Sequence, residues 1–335
     1  MDNIKVSVII PVYNAAEYLE KNLIFMCRQT LPEIEFILIN DASTDESLKI
    51  LTAFKTAFPD KFTVLDSKVN RGPGGARNIG LSYARGEYIG FVDCDDVVNP
   101  QMFELMYERA AKDKCDMVMC AYRVEASGED MMIDTSKFED GLTAEARREL
   151  IMRVGFLWNC IFKRELLEKN DMTFRENCIY EDIDFLEILY FKAESIGFVR
   201  KSLYLHRDNE RSSSRKRCDT DKFFNMIDEM IGNCLEKIKE SKYADELRST
   251  LEFQLLSISA DIILLYAENK CMTFNRVEKL NDMIKKHFGD YTQNEYFRNK
   301  AFDELGELHR QILERYSPDT KKFYNNVKHI KYTNK

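Results

Sequence analysis

The chain has 335 residues, 44% of them hydrophobic and 32% charged, with a net charge of -8 and a pI near 5.3. This is enough apolar content for a substantial core in one large domain or two unequal ones, and the acidic balance excludes a general nucleic-acid binder, which needs a basic surface to neutralise phosphate. Nine cysteines (27, 94, 115, 120, 160, 178, 218, 234 and 271) form no CxxC pair and have no histidines at zinc spacing, so they read as reduced cytosolic thiols.

The opening "MDNIKVSVIIPVYN" enters a short apolar strand without a basic stretch, long apolar core or cleavage site, so no signal peptide is expected. Through the first third of the chain, β-branched runs alternate with amphipathic segments. Strands are expected at 6–12, 35–41, 62–66, 87–93 and 116–122, with helices at about 15–29, 44–58, 73–84 and 100–112. Continuous apolar strands alternating with helices predict an α/β, Rossmann-like, mainly parallel sheet with helices on both faces. Ligands in such sheets bind beyond the carboxyl ends of strands, where Pro11 to Asn14, Asn40 to Asp45 and Asp93 to Asp96 all fall.

From about Asp219 the apolar spacing becomes helical, as in Phe223, Met226, Ile227, Met230, Ile231, Cys234, Leu235 and Ile238, and no proline occurs between Pro100 and Pro318. A smaller helical C-terminal domain is expected over 218–335, after a first domain over 1–217. No stretch approaches the roughly 20 apolar residues of a membrane span. "LLSISADIILLYA" (255–267) comes nearest, but Asp261 interrupts it and it suits a buried helix. The last fifteen residues carry five lysines and no acid; a frayed, solvated tail is favoured over a basic contact with anionic lipid.

Four stretches carry chemistry. "FVDCDD" brings Asp93, Asp95 and Asp96 to a strand end, where carboxylates suit Mg²⁺ or Mn²⁺ shared with phosphate oxygens; a turn and helix cap is the plainer alternative. "NRGPGGARNIG" puts a glycine-rich turn before a helix, but Arg77 stands where a dinucleotide fingerprint needs its third glycine. What remains is a helix start suited to phosphate or a polar base, or an arginine clamping an aspartate. In "IYEDIDF", Glu181 and Asp182 sit between aromatics, as a general base or as a helix cap. "LYLHRDNERSSSR" offers His206, Arg207, Arg211 and Arg215 to a diphosphate or, through the histidine, to a metal.

In their order, "VSVIIPVYNAAEYLEKNL", "ILINDASTDES", "NRGPGGARNIGLSYARGEYIGFVDCDD", "LWNCIFKRELLEKNDMTF" and "YEDIDF" resemble the family 2 glycosyltransferases of the GT-A fold, over roughly residues 4–215. The resemblance implies that Pro11, Tyr13, Asp41 and Arg77 hold the nucleotide. It implies a DxD motif at Asp93, nearer the ribose, and Asp95, on the metal, with Asp96 a secondary candidate. It implies an ED motif at Glu181-Asp182 with Asp182 as general base, leaving-group neutralisation by Arg207, and an acceptor site at Trp158, for which a core anchor is an equal alternative. His206 stands where relatives often have tyrosine, which leaves its metal role open.

The function so implied is metal-dependent (Mn²⁺ or Mg²⁺), inverting transfer of a hexosyl or N-acetylhexosaminyl group. The donor is a nucleotide sugar, with UDP favoured, and the acceptor a glycan or lipid-linked hydroxyl in bacterial surface-glycan synthesis. A cytoplasmic location is expected; contact with the inner membrane face through the C-terminal region and a homo-oligomer stay open, and no nucleic-acid partner is expected. Two rivals remain at this stage. One is a haloacid-dehalogenase-like phosphatase, since Asp93-Cys94-Asp95-Asp96-Val97 satisfies DxDxV with Asp93 as nucleophile. The other is a non-catalytic sugar-nucleotide-binding assembly protein.

Overall fold

In the computed structural model, the described residues are 3–153, 155–207, 220–301 and 305–330. The chain divides into two compact units, 1–146 with 155–215 and 147–154 with 216–335. The short segment 147–154, expected in the first domain, thus belongs with the second unit.

The first unit is a βα-alternating fold. Its elements run β1 (Val6–Val12), α1 (Ala16–Cys27), β2 (Ile34–Asp41), α2 (Ser47–Ala57), β3 (Phe62–Ser67), α3 (Gly72–Tyr83), β4 (Tyr88–Phe91), β5 (Val97–Val98), α4 (Met102–Asp113) and β6 (Met117–Val124). They continue with β7 (Asp130–Met131), α5 (Ala144–Met152), β8 (Cys160–Lys163), α6 (Arg164–Lys169), α7 (Glu181–Lys192) and β9 (Ile196–His206). Helix α5 begins in this unit and passes into the second at Arg147.

The strands form one mixed sheet in the order β3-β2-β1-β4-β8-β6-β9-β5, with β7 paired to β6. The β3-β2-β1-β4 half is parallel, β8 runs antiparallel between β4 and β6, and β9 lies parallel to β6. Every residue of β2 and all but Pro11 of β1 are buried, as an apolar run covered on two sides requires. The pleat sorts them by face. Val8, Ile10 and Leu38 join Leu19 and Leu23 of α1 and Met106 of α4 in one core. On the other face Ile9 and Ile39 press so closely on α3 that a Cβ at Gly80 would sit 2.4 Å from Ile9 Cγ2.

Helix α2 starts at Ser47 rather than near Thr44 because the preceding residues cap its neighbour. Ala15 N–H donates to Ser47 Oγ at 2.9 Å and Ala16 N–H to Asp45 Oδ2 at 3.0 Å, satisfying the open amides at the start of α1. Strand β4 stops at Phe91, two residues early, where the chain turns through an Asp96 N–H to Asp93 O bond of 3.2 Å.

The second unit is helical: α8 (Thr220–Lys237), α9 (Ala244–Glu268), α10 (Phe274–Phe288), α11 (Glu295–Arg298), α12 (Glu307–Leu313) and α13 (Thr320–Val327). Helix α9 is long and apolar enough to cross a membrane, but 78% of its apolar window is buried, and α8, α10, α11 and α12 pack on it. Of the lysine-rich end, residues 321–330 are described, and they depart from the frayed tail expected. Asp319 caps α13 through a 2.9 Å bond from Lys322 N–H, and Phe323 and Val327 are buried, so two apolar residues one turn apart order the segment. The eight described cysteines are free thiols; Cys218, Arg211 and Arg215 lie outside the described residues.

Candidate active site

The carboxyl ends of β1, β2 and β4 lie side by side, so the three polar clusters read from the sequence share one edge. The loops after β1 and β2 brace each other: Thr44 N–H donates to Asn14 Oδ1 at 2.8 Å, and Asn14 N–H to Ser43 Oγ at 3.1 Å. Tyr13 is 44% exposed at this rim and Pro11 is half-buried within β1. Asp41 is buried at the end of β2, where its Oδ1 accepts from Arg71 N–H at 2.9 Å. Burial raises its pKa, opposed by the amides of Arg71 and Gly72.

Arg77, on α3, is buried between two carboxylates. Its Nη1 donates to Glu181 Oε1 at 2.6 Å and its Nη2 to Asp93 Oδ1 at 3.1 Å, with the ring of Phe174 5.6 Å from the guanidinium carbon. Burial disfavours the charge, but the two carboxylates outweigh it and raise the pKa. The side chain thereby joins the end of β4 to the start of α7, the clamp that the sequence offered as the plainer reading of Arg77. The start of α3 is covered too. A Cβ at Gly74 would meet Arg175 O at 2.1 Å, and Asn177 N–H donates to Arg71 O at 2.8 Å, so the glycines admit the segment before α7.

That segment is itself pinned. Arg175 Nε donates to Asp184 Oδ2 at 2.9 Å and its Nη2 to Tyr180 O at 3.1 Å, while Tyr180 enters α7 in the left-handed region at φ 59°. Glu181 is engaged by Arg77, and Asp182 stands beside it, partly buried. Desolvation first, then the charge of Glu181, push its pKa up to about 7 against the pull of Arg77. A partly buried carboxyl poised near neutrality suits proton transfer.

The three aspartates of "FVDCDD" separate into different environments. Asp93 and Asp95 are partly exposed, while Asp96 is 2% exposed. Asp96 Oδ2 accepts from Tyr204 OH at 2.7 Å and lies 3.2 Å from His206 Nδ1, and its Oδ1 accepts from Arg207 N–H at 2.8 Å. Tyr204 OH in turn accepts from Asp93 N–H at 3.2 Å. Burial raises the Asp96 pKa to about 6, and the Asp96 hydrogen bond raises that of His206. Nothing in the sequence pattern marked Asp96 as the tie between the aspartate turn and β9, because its partners follow 108 to 111 residues later.

Trp158 is not an open platform for a sugar. It is 6% exposed and stacks with Phe156 at 4.5 Å, Tyr204 at 4.4 Å and His206 at 5.5 Å, so its indole faces are taken by aromatic neighbours. Arg207 is 37% exposed in its side chain, whose Nε lies 3.8 Å from Glu125 Oε1.

Among the described residues no group of three His, Cys, Asp or Glu side chains is gathered as a protein-only metal cage. The donor set instead suits a Mg²⁺ or Mn²⁺ that takes one or two carboxylates from the protein and completes its shell with ligand phosphate and water. Asp93 and Asp95 are the carboxylates that could offer such oxygens, and His206 has its Nδ1 beside a carboxylate, as metal-ligating histidines commonly do.

The model of glycosyl transferase family 2 matches residues 7–170. The glycosyltransferase YibD of Escherichia coli is 30% identical over 262 residues, covering 74% of this chain and 75% of YibD. The chain belongs to glycosyltransferase family 2. EpsJ, a glycosyltransferase of Bacillus subtilis, is 32% identical over 215 residues, 62% of this chain and 62% of EpsJ, so the match leaves over a third of that relative unspanned. In fold, this family 2 member resembles S. aureus TarS 1-349, solved with UDP-GlcNAc, at TM-score 0.66 and 22% identity over 97% of this chain and 89% of that one. It also resembles the mannosyltransferase PcManGT of Pyrobaculum calidifontis, solved with GDP-Man and Mn²⁺, at TM-score 0.56 and 16% identity over 97% and 86%. Membership disposes of the phosphatase reading, whose nucleophile belongs on a first strand; here Asp93 follows β4 and is bound to Arg77.

Proposed function

We propose that the protein is an inverting glycosyltransferase that moves a sugar from a nucleotide donor, with UDP the favoured nucleotide, to an acceptor hydroxyl of a bacterial surface glycan, free or lipid-linked. The observation that carries this reading is the Arg77 bridge. One buried guanidinium draws the Asp93 turn and the Glu181 helix start together, so a diphosphate end and a base end stand on one frame.

The roles follow from the environments. Tyr13 at the open rim and Asp41 beneath it are the groups nearest to hand for a base and ribose. Asp93 and Asp95 would hold Mg²⁺ or Mn²⁺, and such an ion, when bound, neutralises charge on the departing diphosphate. Arg207 adds a fixed cation to the same end, the kind of pre-oriented charge that contributes most where charge develops. Asp182 accepts the proton of the acceptor hydroxyl as its oxygen bonds to the anomeric carbon and the bond to the diphosphate breaks; a single displacement inverts that carbon. The TarS complex with UDP-GlcNAc supports a UDP-sugar, and the PcManGT complex with Mn²⁺ supports a divalent ion.

Calorimetric titration with UDP and with GDP, each with Mn²⁺, tests the reading. Saturable binding of UDP, tighter than GDP and weakened by chelator, is expected. Binding of neither nucleotide would remove the proposal.

A further inference from the structure

Asp96 is the most thoroughly engaged carboxylate at the sheet edge, yet no step above uses it. One 2%-exposed side chain receives the Tyr204 hydroxyl, the His206 Nδ1 and the Arg207 amide, three groups from the end of β9 and the residue after it. The aspartate turn itself is fastened by Asn22, whose Nδ2 donates to Asp96 O at 2.9 Å and to Asp93 O at 3.3 Å. Tyr204 completes a closed loop by accepting from Asp93 N–H. Such a buried network holds its members in one arrangement because every broken bond would strand a polar group without water.

We propose that Asp96 is a positioning residue that fixes the imidazole of His206, with the proton on Nδ1 and the Nε2 lone pair left for a cation held at Asp93 and Asp95. The inference rests on the metal-assisted reading above. Both carboxylate oxygens of Asp96 already accept N–H or O–H donors, so the ring nitrogen beside Oδ2 is the one that carries hydrogen. With Nδ1 so engaged, the His206 side chain, 44% exposed, has Nε2 as its remaining donor atom. The backbone bond to Arg207 ties the second diphosphate-facing residue to the same carboxylate, so the aspartate turn and the end of β9 move together.

The fold contains its own reporter. The chain's one tryptophan stacks on the His206 ring at 5.5 Å and 8°, close enough for a paramagnetic ion at His206 to quench it. Fluorescence of Trp158 is titrated with Mn²⁺ in the presence of UDP. Wild type is expected to show saturable quenching. Asp96→Asn is close in shape but turns an amide N–H toward Nδ1, which moves the ring proton to Nε2; it is expected to weaken Mn²⁺ by about 10- to 100-fold. His206→Ala should lose about as much, and the double variant no more than His206→Ala alone, since Asp96 acts through the ring. Additive losses, or an Asp96→Asn protein that binds Mn²⁺ as wild type does, overturn the inference and leave the metal reading standing. A wild-type protein that Mn²⁺ does not quench overturns both. A second measurement needs no variant: ¹⁵N shifts of the histidine side chains, of which there are four, in alkaline buffer report which nitrogen of His206 is protonated. A proton on Nδ1 is expected; a proton on Nε2 overturns the inference even if Asp96→Asn does not fold.

Discussion

Arg77 and Glu181 are joined by a 2.6 Å ion pair whose side chains are only 7% and 9% exposed, across 104 residues of sequence. Glu181 opens α7 and Arg77 lies on α3, so the pair sets where Asp182 stands relative to Asp93. Breaking a buried pair from one side leaves the other charge without compensation. Arg77→Met should therefore destabilise the first unit by about 3–5 kcal/mol, measured by urea unfolding with Trp158 as probe. A loss under about 1 kcal/mol, the range of exposed pairs, would mean that the bridge does not organise the site.

The pH profile follows from Asp182. A base acts ionised, and this carboxyl is raised from 3.8 to about 7, so kcat/KM should fall about tenfold per pH unit below that value. A profile flat between about pH 5 and 8 would exclude Asp182 as the base. Stability runs the other way. The folded state holds the Asp182 proton more tightly than the unfolded chain, so stability falls as pH rises from 3.8 towards about 7, and Asp182→Asn should stabilise the protein above that window.

Gly74→Ala tests whether the glycine-rich turn serves packing. The added Cβ would meet the backbone oxygen of Arg175 at 2.1 Å, which only a shift of the segment before α7 can relieve. A destabilisation of about 1–3 kcal/mol is expected from urea unfolding, as for other overpacked sites. Wild-type stability would show that the two segments are not in contact.

Arg207→Gln separates charge from scaffold. The backbone bond from Arg207 to Asp96 survives the substitution, so unfolding should change by no more than about 0.5 kcal/mol. Turnover should drop by about 100-fold or more, as when one preorganised donor is removed from a developing charge. Unchanged turnover would take Arg207 out of leaving-group stabilisation.

What could be read from the sequence divides along physical lines. Strands β1 and β2 and the helices between them were legible because a strand covered on both faces is apolar throughout, and loops at strand ends must be polar. Strands β5 and β8 are not legible, since they have two and four residues and owe their place to antiparallel partners far along the chain. The aspartate turn announced a charged site, but not which carboxylate faces inward; Asp96 is distinguished only by partners on β9. Trp158 was legible as an aromatic near the site, whereas its burial depends on Phe156, Tyr204 and His206 closing around it. The clamp at Arg77 is legible as one of two readings of that residue, but not its second carboxylate, because Asp93 and Glu181 reach it from separate elements.

Transfer from a nucleotide sugar with Asp182 as base is open to direct measurement. The direct measurement is nucleotide release from a panel of UDP-, GDP- and other nucleotide sugars with Mn²⁺ or Mg²⁺, for wild type and Asp182→Asn. Metal-dependent release of UDP from at least one UDP-sugar is expected, reduced by about 10²- to 10⁴-fold in Asp182→Asn with UDP binding retained. No release from any donor by wild type, or equal release by Asp182→Asn, would contradict it.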